Sequence, residues 1–227
     1  MNGPIKITLN NDTIEMHPIG VTFLELSKNY QRYMKNKIIG AKVNNVYHSL
    51  DEKITKSCKI DFVDITDPDG YTMYKSGLKF VLYVAIKELF GKEAEVVFYN
   101  SIDKGAYVRV ICEENISERL VQKIKSKMQE IIDADYPITR QWIKKRDIID
   151  YYNKVGEDEK ALNAETSTDM TLSLFKLKTY FNYFYTTMPS STGVLELFDI
   201  TIIDKQHIVL RYPTSTSNGK IPDYNHY

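Results

Sequence analysis

Residues 5–26 read IKITLNNDTIEMHPIGVTFLEL, and this stretch sets the architecture of the N-terminal part. Ile5, Ile7 and Leu9 alternate with Lys6 and Thr8, the two-residue period of a half-buried strand. Asn10-Asn11-Asp12 follows as a turn signal, and Thr13 to His17 reads as the returning strand of a hairpin. Thr22 then stands three residues before Glu25, the spacing of a capping box, and Phe23, Leu24 and Leu26 supply an apolar face. These features predict a helix from Thr22 to near Met34. Moving outward, Ile38 to Val43 predicts a third strand, Val46-Tyr47 a short fourth and Cys58 to Ile65 a last one. This order of strands about one helix implies a β-grasp, a helix laid across a small mixed sheet.

Thr66-Asp67-Pro68-Asp69-Gly70 punctuates the chain. Asp61, Asp64, Asp67 and Asp69 crowd there, but their spacing is not that of a calcium loop, so they read as solvated loop carboxylates. Beyond it the rhythm changes. Tyr71 to Phe90 predicts a long helix whose Leu78, Val81, Leu82, Ala85 and Leu89 form one stripe, with Phe80 and Val84 a second, so that both sides are covered; Gly91 ends it. Glu95 to Tyr99 and Ala106 to Cys112 read as strands about the turn Asp103-Lys104-Gly105. Ser117 opens an amphipathic helix through Ile132, and a third helix is expected from about Thr139 to Tyr152. Residues 157–167 are polar without a clear period. From Met170 the pattern is β-rich, with Leu195 to Ile203 and Ile208 to Tyr212 as a pair. The expectation is an α+β fold with an antiparallel sheet, divided into 1–66, 67–213 and a linker-like tail, 214–227.

The 30 basic and 30 acidic side chains cancel, which excludes one large basic surface built for nucleic acid. Residues 1–66 carry 9 basic and 7 acidic groups and the rest 21 and 23, so neither part is strongly charged. Cys58 and Cys112 are too few for a disulfide framework or a four-thiolate zinc site. The apolar helix stretch from Leu78 to Phe90 is short and broken by Lys79 and Lys87, and residues 1–9 hold no signal-peptide run; a cytoplasmic protein without membrane contact is expected. The compositional oddity is 17 tyrosines.

His17, His48, His207 and His226 form no helical ligand pair, and no Ser lies in G-x-S-x-G. Gly91-Lys92 and Gly219-Lys220 lack both the upstream Gly and the following Ser or Thr of a phosphate loop. No catalytic residue and no metal set is therefore visible. Two positive features remain. Arg140, Lys144, Lys145 and Arg146 surround Trp142, a basic and aromatic combination suited to RNA contact, with Arg140 and Lys144 expected on one helix face. The run Tyr180-Phe181-Asn182-Tyr183-Phe184-Tyr185 argues for core or for stacking.

With its alternating first strand, Pro18-Ile19-Gly20-Val21-Thr22 and Gly40-Ala41-Lys42-Val43-Asn44, the segment from Ile5 to Ile65 resembles a TGS domain. Ala85 to Gly91, Ser101 to Tyr107 and the helix around Met128 resemble the second N-terminal domain of threonyl-tRNA synthetases, which edits in bacteria. The resemblance extends over about residues 5–212. That editing site uses two His four apart on the long helix and a Cys and His four apart late in the domain. Matched through Ala85 to Phe90 and Met188-Pro189, those positions hold Ser76, Phe80, Thr186 and Ser190. None is a good zinc ligand. The resemblance thus implies a β-grasp, TGS-like domain followed by an α+β, editing-like domain whose chemistry is lost.

Lys59 to Ile65, Thr66 to Gly70, Tyr180 to Pro189 and Ile208 to Pro213 look closest to bacterial uridine kinases of the phosphoribulokinase/uridine kinase type. There this tandem precedes a P-loop kinase domain. On that resemblance the chain is the N-terminal, non-catalytic module of a uridine-kinase-like protein. Its partner is the C-terminal P-loop kinase domain, which alone would use ATP and magnesium. A degenerate cleft lined by Ser76, Phe80, Thr186 and Ser190, with Asp103, Lys104 and Tyr107 as a nearby loop, would hold a nucleoside, a nucleotide or an RNA end. The alternatives are a free-standing aminoacyl-tRNA deacylase, with His207 as the candidate to activate water, and a tRNA-binding adaptor using the basic patch.

Overall fold

In the computed structural model, residues 3–10, 12–102, 104–217 and 219–223 are described. The turn residue Asn11, the loop residue Asp103 and His226 lie outside them.

The N-terminal unit is the expected β-grasp. Strands β1 (Ile5–Leu9), β2 (Ile14–His17), β3 (Gly40–Val43), β4 (Val46–His48) and β5 (Cys58–Val63) form a five-stranded sheet in the order β2-β1-β5-β3-β4. β1 and β5 pair in parallel and the other neighbours antiparallel, so the sheet is mixed. Helix α1 (Phe23–Tyr30) begins with the predicted capping box: Thr22 Oγ1 accepts from the Glu25 N–H at 3.2 Å, and Glu25 Oε2 accepts from the Thr22 N–H at 2.7 Å. Phe23, Leu26 and Tyr30 bury against Ile5, Ile7 and Ile60. Asn10 does more than turn the chain: its side chain accepts from the Phe62 N–H at 2.7 Å and so fixes the hairpin to β5.

Helix α2 (Pro68–Phe90) starts three residues before the predicted position. Asp67 is its N-cap, accepting from the Asp69 N–H at 2.8 Å and the Gly70 N–H at 3.1 Å. Asp64 is buried and accepts from the Thr66 N–H and the Asn36 amide. Two of the loop carboxylates are therefore structural rather than solvated. Gly70 sits so close that a Cβ would lie 2.0 Å from the Asp64 carbonyl oxygen, which only glycine tolerates.

α2 is the axis of the second unit. Every residue from Phe80 to Ile86 is fully buried, as two-sided coverage requires. One cover is a four-stranded antiparallel sheet, β11 (Asp199–Ile202), β12 (His207–Arg211), β7 (Gly105–Ile111) and β6 (Glu95–Ile102), with α3 (Glu118–Asp133). The other is a three-stranded antiparallel sheet, β10 (Tyr180–Asn182), β9 (Thr171–Leu177) and β8 (Ile138–Lys144). Helices α4 (Lys145–Lys154) and α5 (Asp158–Thr166) close the far face of that sheet around Ile148, Tyr152 and Leu174.

Two sequence expectations are corrected. The helix from Thr139 to Tyr152 is a strand followed by a shorter helix. Residues 138–144 make a full antiparallel ladder to β9, and their burial alternates. The β-branched and aromatic content of Ile138, Thr139, Trp142 and Ile143 suits a pleated surface, and a local helical period misreads it. The strand expected from Leu195 is also too long. Leu195 closes a 3-10 turn over Thr192–Val194, and pairing begins at Asp199.

Candidate functional site

The candidate cleft lies where α2 meets the loop after β10. Ser76 and Phe80 stand one turn apart on α2, and both are buried. A Cβ on the intervening Gly77 would be 3.2 Å from Pro189 and 3.0 Å from Leu195, so the 186–195 loop lies directly on the helix there. The loop is firmly held. The Ser190 carbonyl accepts from the Ile138 N–H at 2.9 Å, Thr192 Oγ1 donates to the Ile131 carbonyl at 2.8 Å, and Thr192 Oγ1 accepts from the Tyr136 N–H at 3.0 Å. Ser190 is buried and Thr186 half-buried.

The centre of this site is apolar. Phe80 is 0% exposed, with its ring centroid 5.3 Å from Phe184 and 6.5 Å from Tyr83. Phe184 packs edge-on to Phe175 at 6.3 Å, and the Arg140 guanidinium lies 5.0 Å over the Phe175 ring. A chain of rings thus leads from the buried helix to the basic strand, joining two features that are far apart in sequence. Phe175 carries no motif, and the aromatic run at 180–185 is the one local sign of its partner Phe184.

The basic residues share a face, but a strand face. Arg140, Trp142 and Lys144 point the same way from β8 by the two-residue period, opposite Phe175, Ser173 and Thr171 of β9. Trp142 is 72% exposed. Arg146 extends the patch into α4 beside Asp147 at 3.8 Å. Lys145 is turned to its own support, donating to the Ser167 carbonyl at 3.0 Å.

Tyr107 does not join Phe80. Its neighbours Ala106 and Val108 pack towards α2, so Tyr107 stands on the outer face of the four-stranded sheet. There its ring stacks on His207 at 5.1 Å and 8°, and Tyr99 follows at 5.7 Å. His207 Nδ1 is 2.8 Å from Asp204, whose carboxyl is held below the usual range by the Gln206 N–H and by His207. His207 is therefore on the wrong side of the sheet to activate water beside Phe80. Lys104 is exposed in the β6–β7 turn with φ of 62°. His17 pairs with Glu15 and His48 with Glu52, both in the β-grasp unit. Among the described residues no group of three His, Cys, Asp or Glu side chains could hold a metal ion, and no helix is long and apolar enough to cross a membrane.

One buried charged group carries no sequence signal at all. Lys87, read from sequence only as a break in an apolar stretch, is 4% exposed and donates to the Ala94 carbonyl at 2.7 Å and to Glu157 at 2.9 Å. Glu157 also takes Lys160 at 3.0 Å and the Tyr83 hydroxyl at 2.9 Å. This network fastens the α4–α5 pair to α2.

No protein-family model matches the chain. It is similar to threonine--tRNA ligases: 26% identical over 154 residues to that of Natranaerobius thermophilus, covering 68% of this chain and 24% of the ligase. With the Syntrophotalea carbinolica ligase it is 23% identical over 200 residues, 88% of this chain and 31% of the other. With that of Hyphomonas neptunium the identity is 27% over 157 residues, 69% and 24%. The chain thus matches about a quarter to a third of the length of these relatives. The chain combines a mixed-sheet β-grasp unit and an α+β unit with antiparallel sheets, and is similar to part of the threonine--tRNA ligases.

Proposed function

We propose that the chain is a non-catalytic binding module that contacts RNA or a nucleotide, and that its parent is a uridine-kinase-like phosphotransferase. The observation that carries the first part is Phe80. At a position where the synthetase resemblance calls for a histidine there is a fully buried ring packed on Phe184. A phenyl group neither ligates a metal nor activates water. Ser76, Thr186 and Ser190 at the companion positions are neutral hydroxyls.

What the site offers is a surface. Arg140, Trp142 and Lys144 on one exposed strand face can stack a base and pair with its phosphates. Trp142 is the only tryptophan of the chain, so its fluorescence reports directly on stacking. Titration with tRNA should quench it saturably, and added salt should weaken binding steeply. Unchanged fluorescence with no salt-dependent complex rejects the reading. A deacylation assay on mischarged threonine tRNA should give no turnover above the uncatalysed rate.

The kinase parent rests on the likeness of Lys59 to Ile65 and Ile208 to Pro213 to uridine kinases. On this reading the setting is cytoplasmic, and ATP and magnesium belong to a P-loop domain outside this chain. The coding sequence after Tyr227 tests it: G-x-x-x-x-G-K-[ST] supports the parent, and an unrelated downstream domain removes it.

A further inference from the structure

A cavity of about 220 Å³ lies on the seam between the β-grasp and the second unit. Ile39 and Ile65 come from the β-grasp side, Tyr74 from α2, Val194 and Leu197 from the loop before β11, and Pro213 from the chain after β12. Ile39, Ile65 and Tyr74 are themselves buried. The Tyr74 hydroxyl is spent on the Leu197 backbone, donating to its carbonyl and accepting from its N–H, each at 2.9 Å. The floor is therefore apolar and fixed.

The mouth is charged. Lys37 pairs with Glu196 and donates to the Gly193 carbonyl at 3.3 Å, crossing the seam. The Asn36 amide donates to Asp64 at 3.1 Å. Lys35, also at the mouth, is exposed and forms no ion pair among the described residues. Glu196 is thus taken by Lys37, and Asp64 by Asn36 and Thr66, which leaves Lys35 as the mouth ammonium without a carboxylate partner among the described residues, over an apolar floor. The cavity exceeds the roughly 150 Å³ that admits benzene and falls short of the roughly 300 Å³ of drug-sized pockets. Its size suits one ring or a branched apolar body.

We infer that this cavity is an effector site for a small organic anion, with a ring-sized apolar body on the Ile39–Ile65–Tyr74 floor and a carboxylate or phosphate held by Lys35. Because the walls come from both units, an occupant fastens the β-grasp to the second unit and stabilises that arrangement by mass action.

Amide chemical-shift titration of the full chain with phenyl phosphate, benzoate and neutral benzyl alcohol tests this. Saturable shifts are expected at residues 35–39 and 194–197, with at least one anion binding about tenfold more tightly than the alcohol, the usual worth of one charge-assisted contact. The stronger of phenyl phosphate and benzoate identifies the head group. Lys35→Glu, an exposed change, should erase the preference for anions, and Val194→Phe should block all three probes by filling the cavity. The inference is overturned by absence of shifts at these amides, by equal binding of anion and alcohol, or by an anion preference that survives Lys35→Glu.

Discussion

One face of the β8–β9–β10 sheet is two surfaces. Towards α2, Ile138, Phe175 and Leu177 share a core with Phe80. Farther along the same face Arg140, Trp142 and Lys144 stand in solvent. The two ends have the same pleat and partner strand, and they differ only in whether α2 and the 186–195 loop lie over them. Burial here is decided by the covering layer, and the strand period cannot report it. The difference also separates two roles. The covered end has become packing where the synthetase resemblance implies chemistry, and the open end is where a ligand can reach.

The sharpest way to break this contrast is at Phe80. Phe80→Ala removes a fully buried ring and should cost about 3–5 kcal/mol in urea unfolding, a large share of a small protein's total stability. Phe80→His, which restores the residue type the resemblance calls for, should also destabilise, because the imidazole would face Phe184 and Tyr83 without a polar partner. A loss below about 1 kcal/mol for Phe80→Ala would mean that the covered end is an open cleft after all.

Where α5 is tied to α2, Glu157→Gln leaves Lys87 and Lys160 uncompensated and should cost about 3 kcal/mol. Burial by itself would raise the Glu157 carboxyl, but the Lys160 and Lys87 ammoniums outweigh it and hold it below the ordinary value of about 4.5. Protons therefore bind the unfolded chain more readily. The stability from this group is present above about pH 4.5 and is lost as the pH falls through the lower folded-state value. Unfolding of Glu157→Gln followed against pH should lack that component; an unchanged acid limb would show that the network does not tie α4–α5 to α2.

The β-grasp was legible because its signals are local: alternation in β1, the capping box at Thr22, the antiparallel pairing of β1 with β2. The long helix was legible from its two apolar stripes. The strand at Ile138 was not, because Ile138 with Trp142, and Arg140 with Lys144, also fit the four-residue spacing of a helix face and the partner that decides the matter, β9, lies some thirty residues on. Ser76, Phe80, Thr186 and Ser190 could be named from resemblance, yet the Phe80–Phe184–Phe175–Arg140 chain could not, since it joins three elements and a loop that no local period connects. Tyr107, expected in a loop near the cleft, lies in β7 on the outer face, and that side depends on which strand face α2 covers.

Arg140 marks the border between the two ends. Its guanidinium lies 5.0 Å over Phe175 while its side chain is largely exposed, so it gains a cation–π contact without full desolvation. Arg140→Ala should cost about 1 kcal/mol in urea unfolding, between the losses at Phe80 and at Trp142. Arg140→Lys should restore part of it, since the ammonium keeps the charge but not the planar stacking. A loss as large as that of Phe80→Ala would move the border outward and place Arg140 within the core.

The smallest stability effect belongs to Trp142, and it is the most informative about function. An indole 72% exposed on a strand contributes little packing, so Trp142→Ala should change unfolding stability, followed by circular dichroism, by no more than about 0.5 kcal/mol. A base stacked on the same ring is worth about 1–3 kcal/mol, so tRNA binding should weaken by about tenfold or more in that variant. The two measurements separate the roles because a residue kept for packing would lose stability and binding together. Loss of binding at constant stability is what an open stacking surface requires, whereas unchanged binding in Trp142→Ala would leave the exposed end of the sheet without a nucleic-acid role.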